Sequence, residues 1–286
     1  MQELTLVECP RDAMQGIHEF IPTNLKAEYL NMLLGCGFDT LDFGSFVSPK
    51  AIPQLSDTAQ VLSQLNLEKS ETKLLAIIAN LRGAESAVSF PEIFYLGFPF
   101  SISETFQQRN TNSSIEDSLN RVSEIQSLCI KHKKKLVIYI SMAFGNPYGD
   151  PWNADLAGEW IQKLHEMGIR EFSLADTTGI SEPQGIRSMF STLIPAFTDS
   201  RIGAHLHSTE SHSAEKIQAA LESGCRRFDS ALFGYGGCPM ATDKLTGNIS
   251  TQILLNTLAK HQFSGKINLD LLSRAELIAH KVFSYH

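Results

Sequence analysis

The sequence has no uninterrupted apolar run of the roughly 18 to 20 residues that a membrane helix needs. Its opening Met1-Gln2-Glu3-Leu4 lacks the basic start and apolar core of a signal peptide. Neither a membrane span nor secretion is expected. It has no basic excess either: 24 Lys and Arg stand against 31 Asp and Glu, for a formal charge of -7. With the cations scattered along the chain, there is no electrostatic footprint for duplex DNA or an anionic lipid surface, so neither nucleic acid nor membrane is expected as a partner. Cysteine is sparse. Cys9, Cys36, Cys129, Cys225 and Cys238 are odd in number, widely spaced and without a C-x-x-C pair. They suggest neither a disulfide framework nor a structural zinc site and fit a reducing, cytoplasmic location. The usual nucleotide loops are also missing: no G-x-G-x-x-G follows the first apolar run and no G-x-x-x-x-G-K-[ST] occurs.

What is present is a regular alternation. With 286 residues, 43% of them hydrophobic, the chain can bury a large core. Short apolar runs predict eight strands, over Leu4 to Glu8, Thr40 to Phe43, Leu74 to Ile78, Ile93 to Leu96, Leu136 to Ile140, Glu171 to Leu174, Ile202 to Leu206 and Arg227 to Leu232. Between them lie stretches of helical period, such as Ile115, Leu119, Val122 and Ile125. Ser113-x-x-Glu116 reads as a capping box, and Gly35, Gly168 and Gly224 sit where helices should end. The charge run Lys131-His132-Lys133-Lys134-Lys135 reads as a solvated helix end. Eight alternations predict an α/β fold of the (β/α)8 TIM-barrel type, a single domain over residues 1–286, with Leu269 to Phe283 as an additional C-terminal helix. The rival is a doubly wound open sheet.

In such a barrel the chemistry lies at the C-terminal ends of the strands. Arg11-Asp12 follow strand one, Asp42 and Ser45 end strand two, Ser173 and Asp176 end strand six, and His205-Leu206-His207 ends strand seven. His205 and His207 are two apart, so their rings share one face of a strand. Two imidazoles and a carboxylate from another strand, Asp12 being the natural one, could hold a divalent cation with open positions; two hydrogen-bonded histidines are the alternative. Such a donor set suits Mg2+ or Mn2+ better than structural Zn2+. Arg11 could steady an oxyanion or merely form an ion pair. Cys238 follows Gly234, Gly236 and Gly237, either a mobile loop presenting a thiol or a tight turn. Asp176 could support substrate or cap a helix.

Arg11-Asp12, Ser45-Phe46-Val47-Ser48-Pro49-Lys50, Ser173 to Gly179, His205-Leu206-His207 and Gly236-Gly237-Cys238-Pro239 with Gly247-Asn248 together resemble the 3-hydroxy-3-methylglutaryl-CoA (HMG-CoA) lyases. These belong to the DRE-TIM metallolyases. The resemblance covers nearly the whole chain in the same order. It implies a metal-dependent enzyme, usually a dimer, that cleaves HMG-CoA to acetyl-CoA and acetoacetate, a reaction of leucine degradation and ketone-body formation. The implied metal ligands are Asp12, His205, His207 and Asn248. The implied catalytic groups are Arg11, Cys238, His205 and Asp42, with His205 and Cys238 the candidates for proton transfer. Substrate contacts are expected from Arg11, Gln15, Ser45, Ser173 and Asp176. Contacts to CoA have no compact motif; Lys50 and Arg82 are the cations put forward for them.

Several positions depart from the family pattern. Asp42 stands in place of a Glu, His18 of a Lys and Gln252 of a Glu, and Ser208-Thr209-Glu210-Ser211 replaces a run of D-T-x-G type. These changes touch the surroundings of the cation set rather than the set itself. Two other readings share the barrel. One is a Claisen-type condensing enzyme of the isopropylmalate or homocitrate synthase type; the other is a non-catalytic barrel that binds an acyl-CoA.

Overall fold

The computed structural model describes residues 4–237, 246–263 and 266–285. Its eight strands are β1 (Thr5–Glu8), β2 (Thr40–Ser45), β3 (Lys73–Ile77), β4 (Ile93–Ser101), β5 (Lys135–Ser141), β6 (Glu171–Asp176), β7 (Arg201–Leu206) and β8 (Arg227–Ser230). All pair in parallel with their neighbours in sequence, and β8 returns to β1 with Thr5 opposite Arg227 and Glu8 opposite Ser230, closing the barrel. The open sheet is thereby excluded.

The connections are helical. After β1 come α1 (Pro10–Met14) and α2 (Thr23–Leu34), after β2 α3 (Thr58–Leu62), after β3 α4 (Leu81–Val88), and after β4 α5 (Glu104–Thr111) and α6 (Ile115–Lys131). Then α7 (Ala154–Glu166), α8 (Pro183–Ala196) and α9 (Glu210–Glu222) follow β5, β6 and β7, and α10 (Thr251–Lys260) and α11 (Leu269–Val282) follow β8. The expected C-terminal helix is α11, which packs on α2 with Tyr29 edge-on to Phe283 at 6.0 Å. No helix among the described residues is long and apolar enough to cross a membrane.

Alternation along the strands separates two apolar layers. Residues such as Leu41, Phe43, Leu96, Phe98, Phe172 and Leu174 pack outward beneath the helices. Leu75, Ile77, Tyr95, Val137 and Tyr139 form a separate cluster inside the barrel. Burying a side chain of this size contributes roughly 1.5–3 kcal/mol, so the outer layer dominates the stability of the fold.

Local signals behave as expected with three adjustments. The capping box of α6 lies one residue later, with Ser114 and Asp117 exchanging bonds between side chain and backbone. The hydroxyl of Ser113 is taken instead by those of Thr111 and Ser118, so it cannot cap. Gly168 and Gly224 adopt positive φ, but Gly35 is right-handed and the left-handed turn falls on Gly37. In the basic run, Lys134 is not simply solvated: its ammonium donates to the carbonyls of Phe90, Pro91 and Ile93, clamping the turn before β4.

Candidate active site

Beyond β1 the chain turns at Cys9 into α1, whose first residue is Pro10; a fixed φ and a missing N–H suit that position. The single turn lays Arg11 and Asp12 over the barrel mouth, where both are buried. Asp12 Oδ1 accepts from Gln15 Nε2 at 2.8 Å and Arg11 Nη1 at 3.1 Å, and Oδ2 accepts from Asn248 Nδ2 at 2.7 Å. Across the mouth, β7 and the residue after it carry His205 and His207, two apart on the inner face, with ring centroids 5.3 Å apart. Ligand-type atoms of Asp12, His205 and His207 all lie within 4.8 Å of one another. Sequence spacing placed the imidazoles together; only barrel closure brings Asp12 to them.

The electrostatics favour a cation at this point. His207 is 2% exposed, and neither of its ring nitrogens has a hydrogen-bond partner. Burial and the neighbouring His205 push its pKa down to about 4, so the ring is neutral with a free lone pair. Burial alone would raise the Asp12 pKa, but Arg11 and the two imidazoles lower it to about 2. An ionised carboxylate thus faces an unpartnered neutral imidazole. A buried polar group left unpaired is costly; a divalent cation held between these atoms would satisfy them. Asn248 reaches the same point from the segment after β8, which bridges His207. Its amide nitrogen, not its oxygen, faces Asp12. Ligation through Oδ1 requires a half-turn of the amide.

Arg11 is fixed from behind. Its Nε and Nη2 grip Asp42, the latter at 2.6 Å from Oδ2, and Nη1 donates to Asp12 and to Gln15 Oε1 at 2.8 Å. Burial raises the Asp42 pKa to about 6 against the pull of Arg11. Burial works against the Arg11 charge, but Asp42 and Asp12 outweigh it and the guanidinium stays protonated. Asp42, expected among the catalytic groups, therefore stands behind Arg11 and does not line the cavity.

That cavity, of about 210 Å3, has a polar pole of Arg11, Asp12, Gln15, His205 and His207 and an apolar wall including Val47, Ile52, Ile77, Phe106 and Tyr139. Three residues expected to meet substrate lie elsewhere. Ser173 sits one layer lower in the barrel, opposite Gly203, and donates to Asp229 Oδ2 at 3.3 Å. Asp176 is three residues further along the strand, and that odd spacing turns it to the outer face. There it accepts from the backbone of Ile180 and Ser181 and pairs with Lys216 at 3.0 Å. Ser45 lines a neighbouring groove of about 820 Å3, together with Lys50 and Arg82; Val47 borders both spaces. Cys238 lies outside the described residues.

Two buried groups escaped the sequence reading. Lys216 is 3% exposed and its ammonium also donates to the carbonyls of Gly179 and His207, each at 2.9 Å. Its signal was a lysine on the buried stripe of α9, beside Ser213, Ile217 and Ala220. Asp229 was legible only as a charge within a strand.

Comparison with known proteins agrees with the fold. The chain matches the HMGL-like family model over residues 5–278. It is 34% identical over 266 residues to the 3-hydroxy-3-isohexenylglutaryl-CoA/hydroxymethylglutaryl-CoA lyase of Pseudomonas aeruginosa, covering 91% of this chain and 87% of that one. It is 31% identical over 274 residues to a hydroxymethylglutaryl-CoA lyase of Bacillus subtilis, covering 96% and 91%. The solved structure of an HMG-CoA lyase from Acinetobacter baumannii, in complex with coenzyme A and 3-methylmalate, aligns at a TM-score of 0.91 with 30% identity, over 99% of this chain and 92% of that one. With the barrel, the order of its motifs and the matched length all in accord, the chain belongs to the HMGL-like family.

Proposed function

We propose that the protein is a divalent-cation-dependent carbon–carbon lyase that cleaves HMG-CoA to acetyl-CoA and acetoacetate. The observation that carries this reading is the unpartnered His207 converging with Asp12 and His205 beside a cavity that also holds Arg11. Asp12, His205 and His207, with Asn248 after its half-turn, would hold the ion. A bound Mg2+ or Mn2+ supplies a Lewis acid that eases ionisation of a hydroxyl and polarises a carbonyl. Oxygen donors beside the two imidazoles, with positions left open, suit these ions better than a closed structural Zn2+ site.

The chain's own groups supply the rest. Loss of the C3 hydroxyl proton lets the C2–C3 electron pair move to C2, giving acetoacetate and a thioester enolate that is then protonated. Arg11 has one Nη2 N–H beyond those given to Asp42, Asp12 and Gln15, and that N–H stabilises the enolate oxygen. Asp42 sets its direction. His205 and Cys238 are the candidates for proton transfer, and His205 could serve only in a step that leaves its Nε2 free of the ion. The groove at Lys50 and Arg82 fits the phosphates of CoA, because it opens beside the cavity and is flanked by the N-terminus of α4. A homodimer and a cytoplasmic location belong to the same reading. The apolar wall of the cavity also gives a place to a C3 substituent longer than methyl, as in the substrate for which the Pseudomonas relative is named.

The purified protein, given HMG-CoA with and without Mg2+ or Mn2+, should form acetoacetate only with the ion, and His207→Ala should lose both ion binding and turnover while staying folded. Thiol release from acetyl-CoA plus a 2-oxo acid would indicate the condensing reaction instead. Ion uptake without either reaction would indicate a binding protein.

A further inference from the structure

Inside the barrel, below the mouth, lies a buried carboxylate that is not one of the expected cation ligands. Asp229 on β8 pairs in register with His205 on β7, and its Oδ2 is 3.2 Å from His205 Nδ1. It is 3% exposed. Its second oxygen is 3.2 Å from Nη1 of Arg227, two residues earlier on the same inner face and also buried. Space for Arg227 exists because its neighbour across the sheet is Gly203: a Cβ there would come within 2.8 to 3.0 Å of the Arg227 Cγ, Cβ and Cδ. A buried ion pair on this inner face, with Arg227 over the Tyr139 ring, is no better for stability than apolar residues of the same volume would be. Its placement against a single nitrogen of a single imidazole points to a role beyond stability.

An ionised carboxylate can only accept, so the nitrogen facing it must carry the ring proton. Arg227 Nη1 pairs with the other oxygen at 3.2 Å, and Ser173 donates to the same Oδ2, which fixes the carboxylate plane. In the neutral His205 ring the proton then sits on Nδ1, and Nε2 is left as the lone pair. His207 has no such partner on either nitrogen. Cys9 also approaches His205 and Asp229, but burial and the surrounding carboxylates push its thiol pKa well up, so it stays protonated and does not compete for the ring.

We infer that Asp229, with Arg227 behind it, is a positioning residue that locks the orientation and tautomer of His205 and so presents Nε2 to the barrel mouth. The inference rests on the reading of Asp12, His205 and His207 as a cation site. Nitrogen-15 NMR of the metal-free protein at mildly alkaline pH tests the tautomer directly, with the His205 signals assigned by their loss in His205→Gln. Wild type should show Nδ1 protonated and Nε2 bare. Asp229→Asn should give a mixture of tautomers and weaken Mn2+ binding to the substrate-free protein by about 10- to 100-fold, as measured by calorimetry. A wild-type ring protonated on Nε2 would overturn the inference, and that measurement stands even if Asp229→Asn does not fold. A folded Asp229→Asn with unchanged Mn2+ affinity would overturn it as well. A wild-type protein that takes up no Mn2+ would instead remove the cation reading and this inference with it, so the two failures are told apart by which protein is deficient.

Discussion

Gly236 and Asn248 approach too closely for any side chain to stand between them: a Cβ on Gly236 would lie 2.5 Å from Asn248 Nδ2. The same Cβ would also come 3.0 Å from the Cα of Ala13, in the helix that carries Asp12. Gly236 further holds a φ of 107°, a region that L side chains rarely enter. The glycine therefore shapes the site although it brings no functional group.

Gly236→Ala should displace the Asn248 amide from Asp12. Backbone strain of about 1–3 kcal/mol adds to the steric clash. The expected result is a 10- to 100-fold loss of cation affinity and turnover in a protein whose far-UV circular dichroism is unchanged. Calorimetry with Mn2+ and steady-state kinetics check it, and near-normal values for both would show that the contact is dispensable.

Lys216 ties the carboxylate of Asp176 to the backbone just beyond β7, through the carbonyl of His207. Breaking a buried pair by removing one partner costs about 3–5 kcal/mol. Lys216→Met should lower the melting temperature by roughly 6–20 °C, using about 2–4 °C per kcal/mol for a chain of this size class. Adding Asp176→Asn should recover part of the loss, because the uncompensated charge is then gone. Additive losses in the double variant would mean that the two residues act independently.

Glu8 sets a pH dependence of stability. It is fully buried on the outer side of β1, where Leu232 N and Thr251 Oγ1 donate to its two oxygens at 2.7 and 2.6 Å. Burial outweighs those bonds and raises its pKa from 4.5 to about 8. Below 4.5 both folded and unfolded chains hold the proton, so the group adds no pH dependence. Between 4.5 and about 8 the unfolded chain ionises while the folded one stays neutral, so stability falls with rising pH, by up to about 1.4 kcal/mol per pH unit. Above that range the loss is complete and the curve levels. Glu8→Gln removes the titration and should flatten this region. Urea denaturation midpoints at about pH 6 and about pH 9 check it. Equal slopes in wild type and variant would place the proton elsewhere.

Strand and helix alternation was legible because period is a property of the chain itself: a residue's face is set by its backbone dihedrals and its neighbours in sequence. Eight apolar runs, the amphipathic helices between them and the shared face of His205 and His207 all follow from that local rule. The same rule, applied to the three-residue step from Ser173 to Asp176, gives opposite faces, and the two residues indeed serve a buried layer inside the barrel and a helix contact outside it.

What the sequence by itself determined was the kind of elements, their order, and an inventory of polar groups at strand ends that resembles one enzyme family. Tertiary structure alone decided which of those groups meet. Asp12 joins His205 because β8 closes on β1; Asp42 serves Arg11 rather than the cavity; Asp229 finds the Nδ1 of His205 through strand register. Such pairings depend on closure, register and burial, each summed over residues far apart in the chain, and no local periodicity encodes them.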